Sequence, residues 1–166
     1  IEPGDWSSDV CSSDLVSDIL KRNTDRTVDL LRRELEYDLA DLKENWIKTS
    51  LEKIFIEKEV YEKIKPCKTE EDILATIDKG LKPYVKDFWR EVTREDCVIL
   101  SNIPIKRISK YNAFKTDEYL KSLEVDMEEV KNNLEHIIDY AIRYFEHIKQ
   151  KYGAGRERKS EIRNFE

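Results

Sequence analysis

The sequence predicts an all-α protein: a long antiparallel two-helix coiled coil with a small helical globule inserted at its tip. Three observations predict it. Between Thr116 and Tyr152, apolar residues fall at Leu120, Leu123, Met127, Val130, Leu134, Ile137, Ala141, Tyr144 and Ile148, with gaps that alternate three and four over four heptads. That is the pattern of a helix with a narrow seam lying along another helix, and at about 1.5 Å per residue it makes a rod of roughly 54 Å. Earlier in the chain, Val28, Leu31, Leu35, Leu39, Leu42 and Trp46 recur at three- and four-residue gaps, with Arg32, Arg33, Glu34, Asp38, Asp41, Lys43 and Glu44 on the other face. This second amphipathic helix is the natural partner of the rod. Finally, 39% of residues are apolar and 40% charged, with only four Gly and four Pro, a mix that favours long, solvent-washed helices over a sheet protein.

The same totals bound the function. A chain of 166 residues makes one ordinary domain, and its net charge of −6 does not mark the whole molecule as a polyanion binder. No run approaches 18 apolar residues and no basic start precedes an apolar stretch, so a cytoplasmic protein without a membrane contact is expected. Three unaccompanied Cys do not form a disulfide framework. His136 and His147 lie eleven apart on heptad flanks rather than on one face, so no metal site is expected.

In chain order, residues 1–15 stand apart. They hold no Lys or Arg, and Asp5 to Leu15, DWSSDVCSSDL, looks like a translated sequencing adapter. They are expected to be artefactual, with the natural chain cut upstream of Val16. The first coiled-coil helix is expected over 16–49, with Asn23 or Thr24 as a cap. Thr49 with Glu52 resembles a capping box that would bend the chain near Ser50. The globule is expected over 50–115. It carries a stripe of Leu51, Ile54, Phe55, Tyr61 and Ile64 ended by Pro66, and then a helix from Thr69 stopped by Gly80. Pro83 is expected to open the next piece, Phe88 and Trp89 to be core aromatics, and Thr93 with Asp96 to start a further helix. Ile103-Pro104-Ile105 breaks that helix, and Asn112 and Thr116 lead into the second rod, 116–152. Ile138, Phe145 and Tyr152 recur at one flank of the seam, so its C-terminal end is expected to pack against more than one neighbour. Gly153 and Gly155 close the rod, and 153–166 reads as a basic connector.

The runs SLEKIFIE (50–57), IDKGLKPY (77–84), REVTRED (90–96), IPIKRISK (103–110) and KYGAGRERKSEIRNF (151–165) resemble the A subunits of bacterial type IIA DNA topoisomerases, those of topoisomerase IV and of gyrase. The resemblance covers essentially Val16 to Glu166. It implies an antiparallel coiled coil leading to a globule that meets its twin from a second copy of the chain. Together the two globules form the exit gate, or C-gate, for the transported DNA duplex. It also implies the partners of the whole enzyme: a homodimer through the gate, double-stranded DNA and an ATPase B subunit, with Mg2+ and ATP bound elsewhere than in this fragment. The family cuts DNA with a tyrosine preceded by arginine, in a winged-helix domain upstream of the coiled coil. Arg143-Tyr144 matches the dipeptide, but Tyr144 sits at a d position where a core residue belongs. No catalytic residue is therefore carried over, and the fragment alone is expected to be inactive.

A gate needs an apolar patch that is complementary to itself. The candidates are Ile99, Leu100, Ile103, Ile105 and Ile108, with the globule's own core as the competing assignment for each. In the basic connector, Arg156, Arg158 and Lys159 are candidate phosphate contacts. Composition and heptads alone suit an alternative equally well, a helical-hairpin dimerisation or adaptor module with no DNA role. No Gly-rich phosphate loop, metal-ligand spacing or acid–base pair supports an enzyme within these residues.

Overall fold

The computed structural model describes residues 16–86 and 88–156. Among them every regular element is helical: α1 (Val16–Glu57), α2 (Val60–Lys63), α3 (Glu70–Leu81), α4 (Arg94–Ser101), α5 (Ile105–Ser109), α6 (Ala113–Glu135) and α7 (Ile137–Tyr152). The protein is all-α, and no described helix is long and apolar enough to cross a membrane. The artefactual segment expected over 1–15 lies outside the described residues. The described residues form two compact units, one from 16–37 together with 131–156, the other from within 38–130.

The second unit holds the larger core. Ile47, Leu51, Phe55 and Ile56 of α1 are buried with Val60 of α2, Leu74, Ile77 and Leu81 of α3, and Cys97 and Leu100 of α4. The spacing of 47, 51 and 55 keeps one face of α1 pointed into it. Each fully buried Leu, Ile or Phe side chain contributes about 1.5–3 kcal/mol. The bend expected near Ser50 is absent: α1 runs on to Glu57, and Ser50 and Leu51 are both buried within it. No Gly or Pro interrupts the stretch, and the apolar face that begins at Ile47 continues through Phe55, so packing overrides the local cap signal. The turn that follows α1 passes through Glu59, a non-glycine residue in the left-handed region with φ 52°, at a cost of about 1–2 kcal/mol.

Local start signals are otherwise legible. Thr69 Oγ1 accepts a 3.2 Å hydrogen bond from the Asp72 amide and caps α3. Asn112 Oδ1 accepts from the Lys115 amide at 3.2 Å and caps α6. Gly80 lies inside the last turn of α3 rather than ending it. Its role is close approach, because a Cβ there would sit 3.0 Å from Val60 Cγ1. Pro83 opens no helix but sits in a turn. Phe88 packs half-buried against the core, whereas Trp89 is 51% exposed and lies against Trp46, ring centroids 4.8 Å apart.

Two contacts within this unit fix how α1 and α6 pass each other. Trp46 Nε1 donates to Glu124 Oε1 at 3.1 Å, and Lys53 pairs with Asp117. Seven residues forward on α1 is seven residues back on α6, the relation of antiparallel helices. Leu123 and Met127 are buried on α6, with Leu120 and Val130 half-buried.

In the first unit the buried apolar side chains among the described residues are Leu31, Leu35, Ile137 and Ala141, with Val28, Leu134 and Ile148 half-buried. Asn23 and Thr24 lie inside α1 and cap nothing. Thr24 and Thr27 donate their hydroxyls to the carbonyls of Leu20 and Asn23, both at 2.8 Å. The single rod expected over 116–152 is interrupted at His136 (φ −111°, ψ 46°). There the Asn132 carbonyl accepts the His136 amide and lies 3.0 Å from the ring Nδ1. Two consecutive Asn, poor helix formers, precede this side-chain back-bond, and both loosen a helix. Tyr144 is not a core residue as its d position predicts: the last fully buried seam residue is Ala141, and Tyr144 is 39% exposed. Ile138, Phe145 and Tyr152, expected to meet a further neighbour, are exposed within this chain.

Candidate functional site

The candidate gate residues cluster on α4, α5 and their joint. The segment begins with a capping box: Thr93 Oγ1 accepts from the Asp96 amide at 3.3 Å, and Asp96 Oδ2 accepts from the Thr93 amide at 2.9 Å. Each satisfies an otherwise orphaned donor. α4 ends where the Asn102 side-chain amide donates to the Val98 carbonyl at 2.9 Å, and Pro104 then starts α5.

Helical geometry sorts the five candidates. Cys97 and Leu100, three apart, share the inward face, so Leu100 is only 3% exposed and belongs to the core. It is no longer an interface candidate, since a side chain already packed inward has no surface to offer. Ile103 and Ile108 pack half-buried against the same core. Ile99 and Ile105 face solvent, at 55% and 80% exposed. These two are the candidates with surface left to offer a partner.

One cluster is not legible in the sequence. Arg90, in the irregular stretch before α4, lies between two carboxylates. Its Nε and Nη2 reach Glu44 at 2.7 and 2.8 Å, and its Nη1 and Nη2 reach Asp96 at 2.6 and 3.1 Å. Both contacts are bidentate, the strong arrangement for a guanidinium. They tie α1 to the start of α4. Burial alone would raise the Asp96 carboxyl, but Arg90 and the two Thr93 hydrogen bonds outweigh it and hold it below the ordinary aspartate range. The Arg90 hydrogen bond lowers Glu44 as well. Burial pushes the Cys97 thiol up, so it is a packed apolar group rather than a nucleophile.

Beside α5 lies an open groove of about 560 Å³, floored by Thr49 and Glu52 of α1 and edged by α5 and the start of α6. Arg107 crosses it to Glu52, with Nε–Oε1 at 2.6 Å. Tyr111 donates to Glu57 at 3.0 Å, and burial with this bond pushes its hydroxyl up to about 12. Of the candidate phosphate contacts, Arg156 is exposed after Gly155, while Arg158 and Lys159 lie outside the described residues. Among the described residues no three His, Cys, Asp or Glu converge as a metal set would.

No protein-family model matches the chain, and no solved structure matches it. It is 30% identical over 147 residues to the A subunit of DNA topoisomerase 4 from Borreliella burgdorferi, an alignment that takes in 89% of this chain and 24% of that protein. The chain therefore spans about a quarter of the length of the relative it matches. Over almost all of its length it is similar to a segment of a DNA topoisomerase A subunit, the family that its motifs resemble.

Proposed function

We propose that the chain is the coiled-coil and exit-gate segment of a type IIA topoisomerase A subunit, working by geometry rather than by chemistry of its own. The observation that carries this reading is the match, along nearly the whole chain, to a topoisomerase A subunit. The antiparallel register of α1 and α6, and the solvent-facing Ile99 and Ile105, are what such a device requires. In this reading the two helical arms form a hairpin that holds the α4–α5 surface away from the cleavage centre. That surface grips its twin in a second copy and parts to release a DNA duplex about 20 Å wide. Strand cleavage, Mg2+ and ATP belong to other parts of the enzyme and to its ATPase B subunit, in the cytoplasm. Tyr144 is not the cleaving tyrosine.

Sedimentation velocity over a range of concentrations tests the gate. A reversible dimer is expected, and a monomer at every concentration overturns the reading. The double substitution Ile99→Asp, Ile105→Asp is expected to give a monomer with an unchanged helical circular dichroism spectrum. A dimer that survives both substitutions moves the interface elsewhere.

A further inference from the structure

Charge is unevenly spread along this chain. Acids supply 36 of the 166 residues, yet none occurs in the twenty residues from Cys97 to Thr116, the longest acid-free run in the sequence. That run carries Lys106, Arg107, Lys110 and Lys115, a local charge of +4. The whole chain is −6, so the remainder is −10, of which the expected artefactual segment 1–15 supplies −4. The fold gathers all four bases around the groove beside α5. Its one carboxylate, Glu52, is already neutralised by Arg107. Lys106, Lys110 and Lys115 are exposed and make no ion pair with a described residue. Tyr119 adds a half-exposed ring at the edge, 49% accessible.

We propose that this groove binds the sugar–phosphate backbone of duplex nucleic acid without reading its sequence. Three unpaired ammonium groups act as mobile point charges, which suit phosphates but carry no base code. Thr49, Asn112 and Thr116 along the floor and rim supply the neutral hydrogen-bonding groups that accompany such contacts. Acidic surface over much of the remaining chain disfavours a polyanion, so within this unit a passing duplex is held at the groove rather than beside it. The chemistry is a weak, salt-sensitive hold that positions a duplex and lets it go.

The proposal rests on the gate reading for the presence of a duplex, but its test does not. Fluorescence anisotropy with a labelled 20-base-pair duplex, titrated with the full chain in increasing KCl, reads it directly. Three phosphate contacts predict a slope of log affinity against log salt of about −2.7. Lys106→Glu with Lys110→Glu is expected to lower affinity at low salt at least tenfold and to flatten the slope by about two. Lys106→Gln with Lys110→Gln gives a smaller loss in the same direction. The control pair Lys68→Glu, Lys79→Glu makes the same charge change on another exposed face of the same unit and is expected to leave the groove's contribution intact.

An equal loss in the control pair overturns the proposal, as does absence of duplex binding at low salt. Displacement of the duplex by polyglutamate at equal charge concentration also overturns it, in favour of an acidic protein partner. Binding by the Ile99→Asp, Ile105→Asp monomer supports the groove even if the gate reading fails. A dimer that binds no duplex removes the groove and leaves the gate standing.

Discussion

Replacing Asp96 by alanine tests the energetics of the globular unit at its most connected point. The carboxylate is 4% exposed and accepts four hydrogen bonds: two from Arg90, and one each from the Thr93 amide and hydroxyl. Removing it abolishes half of the capping box, worth about 1 kcal/mol. It also strands the Thr93 amide and half of the Arg90 guanidinium, for about 1–3 kcal/mol more. Arg90 keeps Glu44 and some access to water, which holds the cost below the 3–5 kcal/mol of a fully buried orphan charge. The expected loss is about 2–4 kcal/mol, a fall in Tm of roughly 5–15 °C for a chain of this size. Urea denaturation followed by circular dichroism measures it. In a double-mutant cycle with Arg90→Leu, the double variant should lose clearly less than the sum of the singles, because each single leaves a partner unpaired. A loss under about 0.5 kcal/mol for Asp96→Ala, or strict additivity in the cycle, would refute the claim that this network holds α4 to α1.

Three further outcomes follow from the same structure. The Asp96 and Glu44 carboxyls are held below their ordinary values, so the unfolded chain takes up protons first as pH falls. Their contribution is complete above the ordinary carboxylate range near pH 4 and is lost as pH falls through the lowered folded values. Urea midpoints measured from pH 7 to 3 should therefore drop at the acid end, and less so in Asp96→Asn. Gly80→Ala should destabilise by about 1 kcal/mol, the clash with Val60 outweighing the gain in helix propensity, and should turn neutral or stabilising in a Val60→Ala background. Leu100→Ala should cost about 2–5 kcal/mol, whereas Ile105→Ala should stay within about 0.5 kcal/mol, a contrast that thermal melting resolves.

The parts of the fold written in the sequence are those set by local chemistry or by an unbroken period. The caps at Thr69 and Thr93, the break around Pro104 and the burial of Leu123, Met127, Ile137 and Ala141 at heptad spacing are legible because a side chain one turn away, a proline or a repeat of seven determines them. Ser50 misleads because a cap signal of about 1 kcal/mol competes with an apolar face that buries Ile47, Leu51 and Phe55 together. The interruption at His136 is hidden because the apolar spacing passes through it unchanged, and only a ring nitrogen reaching the Asn132 carbonyl one turn back marks it. Spacing alone leaves Leu100 and Ile99 equally open to core or surface, and it is the packing of Leu100 beside Cys97 that sorts them. The Arg90 cluster joins residues 44, 90 and 96. No periodicity couples positions so far apart, so Glu44 and Arg90 read as ordinary surface and Asp96 only as a cap, yet the three form one bidentate network.

The matched pairs Trp46 with Glu124 and Lys53 with Asp117 act like the marks of a vernier. Residues gained or lost in the loops between Glu57 and Ala113 leave both marks aligned, so those loops, unlike the core helices between them, are free to vary in length between relatives. A single residue deleted between Trp46 and Lys53, or between Asp117 and Glu124, turns everything beyond it by about 100° and unseats one of the two marks. Length change should therefore be confined to those loops and nearly forbidden in the two helical intervals, unless a deletion on one helix is answered by a deletion on its neighbour.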